Sequence, residues 1–143
     1  MKKTLALCAL FLAMNAMAYT QSDLDAIAST IWDEARGESY DGRRMVADVI
    51  WNRGDGVASK MVAAVKKPKQ FSGWNGGSKP AVIIRNDTDR LIWAECKALA
   101  KAMLSGDFKS KTKATHFHSV KVSPSWSKTM RFIKQVGNHK FYA

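Results

Sequence analysis

Residues 22–37 read SDLDAIASTIWDEARG, and this stretch sets the helical half of the fold. Its apolar side chains recur at intervals of three and four residues, which is the spacing of one face of an α-helix. They are Leu24, Ile27, Ala28, Ile31, Trp32 and Ala35. We expect Ser22 to cap this helix and Gly37 to end it. Glu34 falls at the edge of the apolar stripe, so the pattern predicts a half-buried carboxyl group near the end of the helix.

Further helices follow along the chain. Ser39 is a suitable N-cap for a second amphipathic helix that runs to about Arg53, where Gly54-Asp55-Gly56 breaks it. A short third helix is predicted over Ala58 to Lys66, before Pro68. The stretch from Lys69 to Pro80 is rich in glycine and serine and is expected to form a loop anchored by its aromatic residues.

The best-marked helix of the chain comes next. Asp87 or Thr88 can cap it, it runs to Leu104, and Gly106 is its stop signal. Its inward positions are predicted to be Leu91, Ile92, Leu99 and Met103.

The last thirty residues change to β-branched and aromatic side chains. Runs at 115–120, 129–136 and 139–142 predict strands, and Gly137-Asn138 is a two-residue hairpin signal between the last two. The fold class is therefore α+β, with an N-terminal helical part followed by a small C-terminal antiparallel sheet.

The start of the chain resembles a targeting signal. Lys2 and Lys3 precede an apolar run from Leu5 to Met14, and the small-residue triplet Ala16-Met17-Ala18 follows. We expect residues 1–18 to be a signal peptide or a weak, transient inner-membrane anchor, and residues 19–143 to be a single catalytic domain. The protein is then exported, periplasmic or secreted. Without residues 1–18, Cys96 is the one cysteine left, which excludes an intramolecular disulfide and predicts a buried structural thiol.

The net charge of +11 is unevenly distributed. Residues 19–55 carry eight acidic and four basic side chains, a net charge of −4, whereas residues 56–143 carry four acidic and seventeen basic, a net charge of +13. Such a polarity indicates an anionic partner that contacts mainly the second half. Nucleic acid and the anionic bacterial envelope both fit, and export favours the envelope.

Glu34 has the surroundings of an acid catalyst. Cleavage of a glycosidic bond needs a proton donor that stays protonated near neutral pH, and partial burial among apolar groups achieves this for a carboxyl group. Glu38 would share its face if the helix were continuous, but Gly37 interrupts it. Spacing alone favours the other interpretation, in which Glu34, Arg36 and Glu38 are surface charges of a solvated helix end.

Several sequence blocks resemble one family in composition and in order. They are WDEARGE at 32–38, Gly42, VADVIWNR at 46–53, KPKQFSGW at 67–74, HFH at 116–118, PSW at 124–126 and GNHKFY at 137–142. On these blocks the chain resembles the SleB/CwlJ-type cell-wall hydrolases, which are known from spore-cortex lysis and also occur in other bacteria and in phages. The blocks span nearly the whole of residues 19–143.

The resemblance implies a lysozyme-like fold and cleavage of peptidoglycan glycan strands, commonly as a lytic transglycosylase. It makes Glu34 catalytic, first as general acid and then as general base. Such a reaction needs no second carboxylate, whereas ordinary glycosidases use a pair. Glu38, Asp41 and Asp48 keep hydrolysis open as an alternative at this stage.

A sugar cleft is expected between the helical part and the sheet. Polar side chains in a loop after a proline suit sugar hydroxyl and N-acetyl groups, and an aromatic ring can stack on a sugar. The predicted substrate-binding residues are Glu38, Gln70, Phe71, Ser72, Trp74, His116, His118, His139 and Tyr142. Phe71, Trp126 and Tyr142 also fit as core residues, and Lys66, Lys67 and Lys69 as a general anionic-surface contact.

Two other functions compete with this interpretation. His116 and His118 share a face of a predicted strand and His139 follows nearby, so the three could hold zinc in an amidase or peptidase. Alternatively, the basic half could belong to a non-catalytic module that binds the cell wall or nucleic acid. The favoured interpretation predicts no metal, no cofactor and no nucleic-acid partner, and a monomer.

Overall fold

The computed structural model describes residues 19–143. The predicted signal peptide at 1–18 lies outside the described residues. Within 19–143, no helix is both long enough and apolar enough to pass through a bilayer.

Between residue 19 and the sheet, the structure describes four α-helices. Helix α1 spans Gln21–Ala35, α2 spans Tyr40–Arg53, α3 spans Ala58–Lys66 and α4 spans Asp87–Ser105. A short 3-10 helix at Ser72–Trp74 lies in the loop between α3 and α4. These elements follow the order that the apolar periodicity predicts.

Helix α1 is the centre of the core and packs against α2, α3 and α4. Ile27, Ile31 and Trp32 on α1 are almost completely buried, as is Met103 on α4. Cys96 of α4 is a free, buried cysteine, and burial raises the pKa of its thiol to about 12. The thiol is therefore a neutral core group, as predicted.

Two helix starts differ from the prediction. The N-cap of α1 is Thr20 and not Ser22: the Thr20 hydroxyl accepts from the Asp23 N–H at 3.1 Å, and the Asp23 carboxylate accepts from the Thr20 N–H at 3.0 Å. This reciprocal pair satisfies two N–H groups, whereas Ser22 would satisfy one. The N-cap of α4 is Asn86, whose side chain accepts from the Asp89 N–H at 2.8 Å, so neither Asp87 nor Thr88 caps it.

One predicted core residue of α4 is wrong, because Leu91 is 68% exposed. The buried residues of α4 begin only at Cys96. Leu91 lies eight positions before Leu99, which turns its side chain by about 80° from the buried direction. Ile92, one position on, packs against the core instead.

The C-terminal part is a three-stranded antiparallel sheet. Strand β1 spans His116–Ser119, β2 spans Phe132–Val136 and β3 spans His139–Tyr142, in the spatial order β1-β3-β2. Strands β2 and β3 form the predicted hairpin around Gly137-Asn138, in which Gly137 has a φ of 55°. The α+β class is thus confirmed.

The second predicted strand began too early. Residues 125–128 form a 3-10 helix, and the Trp126 carbonyl accepts from the N–H groups of Thr129 and Met130 at 3.2 and 3.1 Å. Those two N–H groups are therefore engaged locally, so pairing with β3 starts later. Strand β1 is likewise one residue shorter at each end than predicted.

Candidate active site

A cleft of about 410 Å³ lies where the end of α1, the loop after α3 and the β1 edge of the sheet meet. The residues that line it are Glu34, Arg53, Lys69, Gln70, Ser72, Asn75, Phe117, His118, Ser119, Val122 and His139. Glu34 provides the one carboxyl group in this described lining. The cleft therefore combines a single acid with several polar and basic groups.

Glu34 is held one residue before the end of α1. The pKa of its carboxyl is raised from 4.5 to about 7, mainly by burial and also by the charge of the neighbouring Asp33, while Arg53 opposes both effects. No hydrogen bond within residues 19–143 contributes to this shift. Glu34 is therefore a proton donor at neutral pH whose oxygens are available to a substrate.

Arg53 faces Glu34 from the end of α2. Its Nε donates to the Thr115 carbonyl at 2.7 Å, and its guanidinium lies 5.1 Å from the centre of the Phe71 ring. Burial lowers the pKa of Arg53, and Glu34 acts in the opposite direction. Sequence reasoning gave Arg53 no role, because a basic residue in the last turn of a helix is ordinary.

The other acidic candidates lie elsewhere. The Glu38 carboxylate accepts from the Asn138 N–H at 3.3 Å and lies 3.9 Å from Nδ1 of His139, so it supports the β2–β3 turn. Asp48 is 1% exposed and accepts from the N–H and hydroxyl of Thr112. Asp41 lies exposed in the first turn of α2. None of the three lines the Glu34 cleft.

The loop after α3 contributes some of its predicted residues to the cleft. Gln70 and Ser72 line it and are exposed to solvent. Phe71, between them, is 1% exposed and lies in the core, 6.5 Å from the Phe117 ring. Trp74 donates from its indole nitrogen to the Thr30 hydroxyl at 2.9 Å and lines a separate hollow. Phe71 and Trp74 thus anchor the loop on its inner side and do not line the Glu34 cleft.

His116 and His118 share one face of the sheet with Tyr142. The His118 ring stacks on Tyr142 with centroids 5.3 Å apart, and Nε2 of His118 lies 2.9 Å from the tyrosine hydroxyl. Trp126 packs against both histidines at 5.2 and 5.6 Å. Tyr142 is 6% exposed and contacts His118 instead of lining the cleft, and His116 lines the neighbouring cavity.

His139 lies on the opposite face of the sheet. It pairs with Ser119 of β1, and its ring contacts Phe117 at 5.1 Å and Phe141 at 6.2 Å. Burial lowers the pKa of His139, and also that of His116, on which Arg53 acts in the same direction. Since alternate strand residues face opposite sides, His139 does not join His116 and His118.

The zinc hypothesis requires three side chains that converge on one point, and the structure does not bring the three histidines together. No group of three histidine, cysteine, aspartate or glutamate side chains in the described part of the chain is placed to hold a metal ion. The strand register separates the three histidines that the sequence suggested as ligands.

Comparison with known protein families identifies the family of this chain. A cell wall hydrolase family model matches residues 37–142. The chain belongs to this cell wall hydrolase family. The match begins three residues after Glu34, whose place in the cleft therefore rests on the structure and on the WDEARGE block.

One related enzyme supports this family assignment. A spore cortex-lytic enzyme of Oceanobacillus iheyensis is 27% identical over 129 residues, which cover 86% of this chain and 42% of the relative. The chain thus spans less than half the length of that protein. The resemblance to SleB/CwlJ-type hydrolases is confirmed.

Two solved structures share the fold. The catalytic domain of the germination-specific lytic transglycosylase SleB from Bacillus anthracis has a TM-score of 0.62 and 25% identity, covering 88% of this chain and 98% of that one. The catalytic domain of Bacillus cereus SleB has a TM-score of 0.60 and 23% identity, covering 88% and 93%. The predicted lysozyme-like fold is confirmed by this likeness.

Proposed function

We propose that this protein cleaves peptidoglycan glycan strands between N-acetylmuramic acid and N-acetylglucosamine as a lytic transglycosylase. The observation that carries the proposal is Glu34, the one carboxyl group in the described lining of the cleft, with a pKa of about 7. The name of the Bacillus anthracis relative, a lytic transglycosylase, supports it.

A single carboxyl group can perform both proton transfers. Protonated Glu34 donates to the glycosidic oxygen, the bond from that oxygen to C1 of the muramic acid breaks, and the N-acetylglucosamine leaves as an alcohol. The C6 hydroxyl of the same muramic acid then attacks C1 and returns its proton to Glu34, which closes an anhydro ring. Atoms and charge balance without a second carboxylate or an entering water.

The remaining cleft residues are proposed to bind the sugars. Gln70 and Ser72 present side chains from the loop, and His118, oriented by the Tyr142 hydroxyl, faces them from β1. Arg53 keeps a positive charge near the carboxylate that forms after proton donation. The substrate-binding roles predicted for Glu38, Phe71, Trp74, His116, His139 and Tyr142 stay predictions.

Export to the envelope is part of the same proposal. It is supported by the targeting pattern at 1–18 and by the excess of positive charge after residue 55, which suits an anionic envelope. A monomeric state and the lack of a nucleic-acid partner stay predictions.

The decisive variant is Glu34→Gln, which keeps the shape of the side chain and removes the transferable proton. We expect it to lose about 10²- to 10⁴-fold in the rate of cleavage of purified peptidoglycan. Asp41→Asn, which removes one exposed charge outside the cleft, is the matched control. Co-sedimentation with insoluble peptidoglycan shows whether binding persists. Cleavage by Glu34→Gln at the wild-type rate would overturn the proposal. Binding of peptidoglycan by the wild type without any cleavage would also overturn it and would favour the binding-module alternative.

A further inference from the structure

A second and larger cavity, of about 790 Å³, adjoins the Glu34 cleft. The two share Arg53 and Gln70 in their linings, so they form one continuous depression. We call the larger cavity the lysine groove, defined by Lys60, Lys66 and Lys67 together with the two shared residues. A substrate held at Glu34 can therefore extend into it.

Helix α3 forms one wall of this groove. Lys60, Ala63 and Ala64 line it from one face of the helix, and Lys67 lines it from the position just after the helix ends. Met61 and Val65, on the other face, are completely buried in the core. The groove thus has a wall of two small alanines with a lysine at each end, which leaves room for an extended chain between two positive charges.

The groove has an excess of positive charge. Its described lining contains three lysines, Arg53 and His116 but no carboxyl group. Asp55 lies 3.9 Å from the Lys60 ammonium, and both side chains are largely exposed, so this pair screens the groove weakly. The Arg53 side chain has a buried terminal nitrogen with no hydrogen-bond partner among residues 19–143. An anionic ligand would complement this lining.

The proposed reaction identifies such a ligand. A muramic acid whose C1 lies at Glu34 carries its lactyl ether on C3 of the same ring, and the stem peptide with its carboxylates extends from that ether. We propose that the lysine groove binds the carboxylates of this stem peptide, so that the protein favours strands with intact stems. The inference rests on the proposed function, since it needs a muramic acid at Glu34.

Two substrates test this inference: peptidoglycan with intact stem peptides, and glycan strands from which an amidase has removed them, both freed of phosphate-bearing wall polymers. We expect wild-type kcat/KM to be at least about fivefold higher on the stem-bearing strands. The double variant Lys60→Glu with Lys67→Glu should reduce that ratio to about one. The matched control is Lys97→Glu with Lys101→Glu, an equal charge change on exposed residues of α4, which should keep the ratio.

The results distinguish a failure of the groove inference from a failure of the proposed function. The ratio of kcat/KM on stem-bearing strands to that on stem-free strands could be the same in the wild type and in the Lys60/Lys67 variant. If cleavage still depended on Glu34, that result would overturn the groove inference alone. Cleavage independent of Glu34 would overturn the proposed function. Wall that retains its phosphate polymers provides a third arm: tighter binding there, with no effect of stem removal, would assign the groove to phosphates and contradict the inference. Lys60→Gln with Lys67→Gln, which removes the charges without reversing them, should give an intermediate ratio if the reversal variant unfolds.

Discussion

At the scale of single residues, Glu34 couples the proposed chemistry to stability. Its pKa is 4.5 in an unfolded chain and about 7 in the folded protein, so the folded state holds this proton more tightly. As the pH rises from 4.5 to 7, the unfolded chain ionises first and folding becomes less favourable. The contribution of Glu34 to the free energy of unfolding is therefore fully present below about pH 4.5 and is lost as the pH rises through about 7.

The variant Glu34→Gln is thus expected to be more stable than the wild type at pH 8, because glutamine carries no charge to bury. The gain in the free energy of unfolding should be about 1–3 kcal/mol at pH 8 and should vanish near pH 4. Urea unfolding at both pH values measures it. A variant that is less stable than the wild type at pH 8 would contradict the burial of Glu34.

Asp33 offers a second residue-scale prediction. Its charge raises the pKa of Glu34, so Asp33→Asn should lower that pKa and move the alkaline fall of kcat/KM to a lower pH. A pH–rate profile measures the shift, and Asp41→Asn serves as the control with no shift. If the alkaline fall of kcat/KM stayed at the same pH in Asp33→Asn, a group other than Glu34 would control that fall.

The sequence located Glu34 through the WDEARGE block, and the apolar stripe of α1 indicated only that its carboxyl group is half-buried. It could not locate Arg53, whose role depends on Glu34 and on the Thr115 carbonyl, 62 positions away. It predicted a substrate-binding role for Glu38 and could not foresee that the β2–β3 turn, 100 positions on, reaches that carboxylate. Local periodicity carries no information about such contacts.

At the scale of elements, the turn between α2 and α3 depends on Gly54. A Cβ on Gly54 would lie 2.6 Å from the Met61 backbone nitrogen and 2.7 Å from its Cα, atoms that cannot move independently of α3. Gly54→Ala should therefore lower the free energy of unfolding by about 1–3 kcal/mol. Gly76→Ala is the control, since no atom lies within 4 Å of its added Cβ. Equal urea midpoints for the two variants would contradict this packing.

Arg43 joins three elements from a buried position. It is 5% exposed, donates to the Glu95 carboxylate of α4 at 2.6 and 3.1 Å, and also donates to the Glu38 carbonyl after α1. Arg43→Leu should lower the free energy of unfolding by about 2–4 kcal/mol, because it leaves the Glu38 carbonyl without its donor and Glu95 without its cation. Arg90→Leu, which breaks an exposed pair with Asp87, should change little. Thermal unfolding compares the two, and similar losses would contradict the proposed linking role.

The elements themselves were largely predictable and their ends less so. The 3.6-residue periodicity identified α1 to α4, and Gly137-Asn138 identified the hairpin. The caps at Thr20 and Asn86 were missed because several polar residues precede each helix and only the folded geometry selects one. Strand β2 was extended too far because Thr129 suits a strand but follows a 3-10 helix.

At the scale of the whole molecule, the cleft joins the acidic and basic parts of the chain. Glu34 belongs to residues 19–55, with a net charge of −4, while the loop, the sheet edge and the lysine groove belong mostly to residues 56–143, with a net charge of +13. The cationic part therefore surrounds one acid, which suits a polymer that carries carboxylates beside its scissile bonds. Only the register of the sheet could show that the three histidines do not converge.

In the proposed reaction, Glu34 is the one carboxyl group that cuts the glycan, and the substrate's own C6 hydroxyl completes the cleavage. Mass spectrometry of purified peptidoglycan digested with the wild type and with Glu34→Gln tests it directly. We expect muropeptides with anhydro-muramic ends from the wild type, and at least about 100-fold fewer of them from the variant in the same digestion time. Reducing muramic ends, free stem peptides, or anhydro ends produced equally by Glu34→Gln would contradict the claim.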